Sequence, residues 1–479
     1  MTSKQSDAVA RVLFKRSCLF LLLVAGFGRA ASCEPNPIQL ERKFQEAYTI
    51  IEERFIDRVS TNSLLIAGFQ RMREVPGMQE VKYSDLVSPT QRLGARTDDF
   101  EAFRRALRAI RQNADGQVDL DALISAMIKG MVSALKVDGK DDAYSAYLEP
   151  EKNRELQATL RGERRSYAGI GIQFEFRNSS CHVVAPIPDS PAYRAGIRPG
   201  DTITFVDGVK LTSEDDATGR ISGEPGTRVV LTVERKGVPE PLSYELIRET
   251  IVQPELEKIL LPEGIGYIRV NSFNEHSARV LHENLRYLDG LGMKKCILDL
   301  RMNAGGLLKA AVDVADIFLP RGSLVVRIEG RAQDTRREER TRRDLPYTRI
   351  PLVLLVDGYT ASAAEIVTGA IRDNRRGVAV GARTFGKGTV QEVKQLDDNS
   401  ALKLTVARYL TPSGASINGK GIQPDHVVEM DPNEAVFPTK FSDPASVDLS
   451  QLAEDKQLKK GLELLGLQIP VLPLAATGT

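Results

Sequence analysis

The 479-residue chain has no tryptophan, only four cysteines and four histidines, and its 65 basic side chains are balanced by 64 acidic ones. So even a balance leaves no global field to draw in nucleic acid or an anionic membrane, and nucleic acid is not an expected partner. The histidines, His182, His276, His282 and His426, form no HExxH-type ligand pair. This argues against a metal-dependent hydrolase, and no metal or cofactor is expected. There is no Gly-x-Ser-x-Gly elbow, no Gly-Lys-Ser/Thr phosphate loop and no GxGxxG opening a helix, so nucleotide chemistry has no visible seat. The apolar run Cys18 to Gly28 (CLFLLLVAGFG) is 11 residues long. A helix that spans a bilayer needs ~20.

What that run does fit is an export signal. Lys4, Arg11, Lys15 and Arg16 precede it and the small residues Ala30, Ala31 and Ser32 follow, so residues 1–32 are expected to be a signal peptide. Cys33 after Ala-Ala-Ser is similar to a lipoprotein processing site, with Ala30 where a bulky aliphatic residue is usual. The expectation is an exported, periplasmic or cell-envelope protein, with lipid anchoring at Cys33 left open. Three cysteines would remain after cleavage, too few for a disulfide framework.

The length calls for several domains. Apolar residues at three- and four-residue spacings (FQEAYTIIEERF, FEAFRRALRAIRQ) predict a helical arm or cap over 38–160. Within it NADGQVDLDAL has the look of a calcium loop. With Gly116 sixth, however, Arg111 would be first and Ala122 twelfth, so a turn and a helix start are expected instead. Short alternating runs between Gly and Pro predict a small β-rich domain over 165–250. Alternating strand and helix patterns over 255–430 predict an α/β core with a largely parallel sheet. The tail 431–479 carries one helical pattern, KQLKKGLELLGL.

One segment points to chemistry. In LVLLVDGYTASAAEIVTGAIRDN an apolar strand runs through a turn into a helix with Ser362 at the junction, where helix N–H groups could stabilise an oxyanion. Read alone, Thr360 or Ser362 is an N-cap. Further on, in ARTFGKGTVQEV, Lys387 lies between glycines at the entrance to an alternating strand, a setting that can lower an amine's pKa enough for a general base. Gln391, four residues on, would share its face and could orient the amine. A serine nucleophile, a lysine base and an amide orienter make a workable acylation set.

The stretches TASAAEIVTGA and TFGKGTVQ closely resemble the catalytic blocks of the carboxyl-terminal processing (tail-specific) proteases. The resemblance implies Ser362 as nucleophile, Lys387 as base and Gln391 as orienter. DLRMNAGGLL resembles another block and implies an oxyanion hole from backbone N–H groups of Gly305 or Gly306 and of Ala363. Asp357 and Glu365 fall at acidic supporting positions, and YLTPSGASINGKGIQPDHVV resembles the terminal core block. AGIGIQ and SPAYRAGIRPGDTITFVDG resemble a PDZ domain, with Gly169, Ile170, Gly171 and Ile172 at the carboxylate-binding loop. Where the family has an Asp-Pro-His-Ser-like stretch this chain has DDAYSAYLEP, Asp141 to Pro150. The implied function is a serine endopeptidase that captures C-terminal tails of protein or peptide substrates. Two alternatives stand beside it: a noncatalytic peptide-binding scaffold, and an enzyme that waits for an activator or adaptor protein or for homo-oligomerisation through the arm.

Overall fold

The computed structural model describes residues 37–79, 95–113, 118–163, 166–177, 179–187, 190–198, 200–252, 256–431, 434–435, 437–438 and 452–467. The expected signal peptide, Cys33 and Gly116 lie outside them. Among the described residues no helix is long and apolar enough to cross a membrane.

The arm begins with Pro37–Arg54, Thr61–Arg71, Arg96–Asn113 and Leu120–Ser133. Phe44, Ala47, Tyr48 and Ile51 recur at helical spacing and are fully buried. Phe44 stacks on Phe103 with centroids 3.8 Å apart. Asp119 caps the last of these helices, accepting from the N–H groups of Asp121 and Ala122. The NADGQVDLDAL stretch therefore delivers the expected helix start. Gly130 is required where helices 61–71 and 120–133 cross, because a Cβ there would stand 2.4 Å from the Ala67 carbonyl oxygen.

The arm does not close its core alone. Its apolar cluster takes in Ile328, Leu396, Leu402, Leu404 and Val406 from the last two thirds of the chain. Lys43, buried among them, pairs with Asp398 at 2.7 Å. Strand Ala146–Leu148 adds to the edge of Ala401–Leu410, with Tyr147 opposite Leu402.

The β-rich region forms an antiparallel sheet in the order Leu242–Ile247, Arg228–Glu234, Thr202–Val206, Ser180–Pro186, Ile172–Arg177. Helix Glu214–Ile221, capped by Ser213, packs Ala217 and Ile221 into its core.

The α/β core has a six-stranded sheet in the order Leu256–Leu261, Ile265–Val270, Lys295–Asp299, Leu352–Val356, Val378–Gly381, His426–Val427. Only the first pairing is antiparallel, so the largely parallel sheet expected from the alternating pattern is present. Both faces are covered, which is why all six residues of Ile265–Val270 are buried. Leu298 and Leu354 face helices Ser277–Gly290, Leu308–Phe318 and Ala363–Asp373. Their neighbours Ile297, Val353 and Leu355 face helix Lys456–Leu464. A second sheet, entirely antiparallel, contains Arg337–Arg340, Leu324–Gly330, Ala401–Leu410 and Thr389–Gln395. The sequence pattern marks the strand that follows Lys387 and does not reveal this separate layer.

Candidate active site

Strand Leu352–Val356 ends at Asp357, whose carboxylate organises the turn that follows. It accepts from the N–H groups of Tyr359 and Thr360, and from that of Met302 across the gap at 3.0 Å. Burial pushes the Asp357 carboxyl above its usual range, against the pull of those N–H groups. The turn places Ser362 at φ 55°, ψ −115°, immediately before helix Ala363–Asp373. This backbone is costly for a residue with a Cβ, and such strain clusters at functional sites.

The loop after strand Lys295–Asp299 lies against this serine. A Cβ on Gly305 would stand 2.8 Å from Ser362 Cβ, and one on Gly306 only 2.0 Å from the Phe273 carbonyl oxygen. Both glycines are therefore steric requirements. Asn303 holds the loop: its Oδ1 accepts from the Gly305 N–H at 2.8 Å, and its own carbonyl accepts from Ala361 at 2.9 Å. The N–H groups of Gly306 and Ala363 are not taken by another group among the described residues.

Glu365, fully buried, joins this turn to the lysine loop. Its Oε2 accepts from the N–H groups of both Ser362 and Lys387 at 2.9 Å. Its Oε1 accepts from Gly386 N–H at 2.8 Å and from the Thr384 hydroxyl at 2.5 Å. Burial pushes this carboxyl up as well, opposed by those four donors. Tyr409 makes a second bridge, its hydroxyl within hydrogen-bonding reach of the carbonyl oxygens of Ser362 and Lys387. Alternation in ALKLTVARYL would set Tyr409 on the face of Lys403 and Thr405, opposite Leu402 and Leu404, and only the fold shows that it is buried and what it meets there.

Lys387 is half-buried, with Nζ 4.2 Å from the centroid of the Tyr144 ring. Strand Thr389–Gln395 starts two residues later, and the register shift beside Val390 and Gln391 falls on the partner strand, where Val406 is the extra residue. The Gln391 amide nitrogen donates to the hydroxyls of Thr389 at 2.9 Å and Thr405 at 3.3 Å. Only its carbonyl oxygen is left to receive an amine. A cleft of about 460 Å³ opens beside Gln391, lined by Leu307, Val312 and Val390 and by the charged side chains of Arg54, Arg337 and Glu392.

In the β-rich domain, Ile170 and Gly171 form the turn between Ser166–Gly169 and Ile172–Arg177. Gly171 has φ +77°, and a Cβ there would stand 2.2 Å from Ser190 Cβ. Among the described residues no strand occupies the outer edge of Ile172–Arg177.

A strained serine opening a helix of an α/β core, together with an open-edged module of this kind, is the build of a PDZ-bearing peptidase. Residues 264–428 match Peptidase family S41 and residues 182–235 match a PDZ domain. The Carboxy-terminal processing protease CtpA of Bacillus subtilis is 34% identical over 376 residues, 78% of each chain. The Carboxy-terminal-processing protease of Bartonella bacilliformis is 37% identical over 65% of this chain and 70% of its own length. The solved structure of a photosystem II D1 C-terminal processing protease superposes with TM-score 0.60 at 26% identity, over 84% of this chain and 95% of that one. The chain belongs to the carboxy-terminal processing proteases of peptidase family S41 and is a serine-type endopeptidase.

Proposed function

We propose that the chain cleaves proteins captured by their C-terminal tails, with Ser362 as nucleophile and Lys387 as general base. The observation that carries this reading is the Glu365 carboxylate, one oxygen of which holds the backbones of both residues. Neutral Lys387 Nζ takes the Ser362 hydroxyl proton as Oγ bonds to the scissile carbonyl carbon. The carbonyl electron pair moves onto oxygen, which the N–H groups of Gly306 and Ala363 receive. Of the two glycines this reading assigns the role to Gly306, because the Gly305 N–H donates to Asn303. The amine departs with the proton from Lys387 as the C–N bond breaks, and water then hydrolyses the ester by the same relay. Gln391 offers the amine its carbonyl oxygen.

The tail would add as a strand to the edge of Ile172–Arg177, its carboxylate received by N–H groups of the Gly169–Ile172 turn. The partners on this reading are unfolded or tailed proteins. An activator or adaptor protein and an arm-mediated homo-oligomer are proposals beside it. Export is likewise proposed from the leader sequence, and fatty-acid labelling of wild type against Cys33→Ala decides whether a lipid anchor at Cys33 accompanies it.

The test of the dyad is degradation of an unfolded reporter with an apolar, uncharged tail by wild type, Ser362→Ala and Lys387→Ala. Loss in both variants is expected, and cleavage surviving in either overturns the assignment. Because the base must be neutral, the rate should be low in acid and rise towards alkaline pH.

A further inference from the structure

We infer that Tyr144 is a positioning residue for the base, its ring face the seat of the ammonium that Lys387 becomes when it takes the serine proton. This rests on the dyad reading given above.

The ring is not there by chance of a loose loop. Asp142 accepts from the Tyr144 N–H at 3.1 Å, and the Ser145 hydroxyl donates back to Asp142 at 2.5 Å. Ser145 Oγ also accepts from the Thr405 N–H at 3.0 Å, and Thr405 Oγ1 donates to Asp142 at 3.2 Å. Residues 146–148 then pair with 401–403. Tyr144 is thus pinned on both sides to strand Ala401–Leu410, and the same Thr405 hydroxyl receives Gln391. This loop is the DDAYSAYLEP stretch that departs from the family pattern.

An aromatic face attracts a cation and has no such attraction for a neutral amine. In the resting enzyme it therefore favours the protonated lysine, which costs reactive base at low pH. Once the base is neutral, the same face stabilises charge as it develops on Nζ, which raises the rate of acylation. Removing the ring should have two opposed effects. The acid limb of the rate profile moves to lower pH, and the alkaline plateau falls. A residue that only supported the loop would lower the plateau without moving the limb.

Titratable groups near Lys387 include Glu365, which accepts its N–H, Tyr409, which reaches its carbonyl oxygen, and Asp142 on the Tyr144 loop. All three stay in place when Tyr144 is changed, so a limb that moves with the ring reports the ring.

The experiment is the pH dependence of kcat/KM for a soluble tailed reporter, on the full chain. Wild type is compared with Tyr144→Phe, Tyr144→Leu and a chain carrying pentafluorophenylalanine at 144, with thermal unfolding recorded for each. Tyr144→Leu should move the acid limb down by about half to one pH unit and lower the plateau about three- to tenfold. Tyr144→Phe should restore both. The fluorinated ring keeps the shape with its face potential reversed and should behave as Tyr144→Leu, so it decides the matter if the leucine variant fails to fold. An unmoved limb with leucine and with the fluorinated ring, or a plateau that rises, overturns the inference. Activity persisting in Lys387→Ala would instead remove the dyad itself, and the role of Tyr144 with it.

Discussion

Replacing Glu365 with glutamine turns one of its two oxygens into a donor that faces donors. With the amide nitrogen in the Oε2 position, the N–H groups of both Ser362 and Lys387 lose their acceptor; in the Oε1 position, Gly386 does. A buried donor left without a partner costs about 1–3 kcal/mol. The expected outcome is a lower unfolding temperature together with a loss of acylation on the order of 100-fold, since on the proposed dyad reading this carboxylate holds the backbone N–H groups of both nucleophile and base. Labelling of folded Glu365→Gln by a covalent serine probe measures it; labelling at the wild-type rate would show that the anchor does not set the geometry. At this scale the sequence was generous. Ser362, Lys387, Glu365 and the glycine pair sit in contiguous motifs whose chemistry is local. Tyr409 and Tyr144 were not legible as site residues, because each reaches Lys387 from a strand or loop whose course only the tertiary fold sets.

Among the elements, the C-terminal helix shows how a stretch without motifs can matter. Asp455 caps helix Lys456–Leu464, accepting from the Leu458 N–H at 2.8 Å, and its other oxygen pairs with Arg301 Nη1 at 2.6 Å. Arg301 is buried, also paired with Asp299, and directly precedes the loop that carries Asn303 and the glycines. Asp455→Ala removes the cap and leaves the buried guanidinium short of one carboxylate, a change that costs about 3–5 kcal/mol. Urea unfolding checks this, and a midpoint within error of wild type would show that Asp299 alone suffices. In the PDZ domain, Gly171→Ala has neither the backbone nor the room it needs. Fluorescence anisotropy with a tailed peptide should show binding lost, while cleavage of an untailed short peptide continues. The parallel sheet was legible because strand and helix patterns alternate along the chain. The second sheet was not, since its strands are drawn from three separated stretches, with Ala146–Leu148 lent by the arm.

For the whole molecule, acid stability follows from carboxylates held below their usual range. Burial raises Asp299, but Arg301 more than offsets it; burial raises Asp398, but Lys43 and Ser400 do the same there. A depressed folded pKa gives stability that is complete above the unfolded value, ~3.9 for aspartate, and is lost as pH falls through the folded one. Glu365 and Asp357, raised by burial, run the other way and lose their contribution as pH rises. The unfolding temperature should therefore drop below about pH 4, and Asp398→Asn should flatten part of that drop while lowering stability at neutral pH. An unchanged acid slope in the variant would take Asp398 out of the account. The lending of strands and apolar surface between arm and core also has a temporal side. Arg54 of the arm bonds to Glu392, 338 residues later. At roughly 5–20 residues per second, the first helices wait roughly 17–70 s on the ribosome for the hairpin that covers them. Until then the part of their apolar face that meets this hairpin is uncovered, so a stalled chain is a client for holding chaperones, and Lys387 and the wall around it arrive together in a single late event.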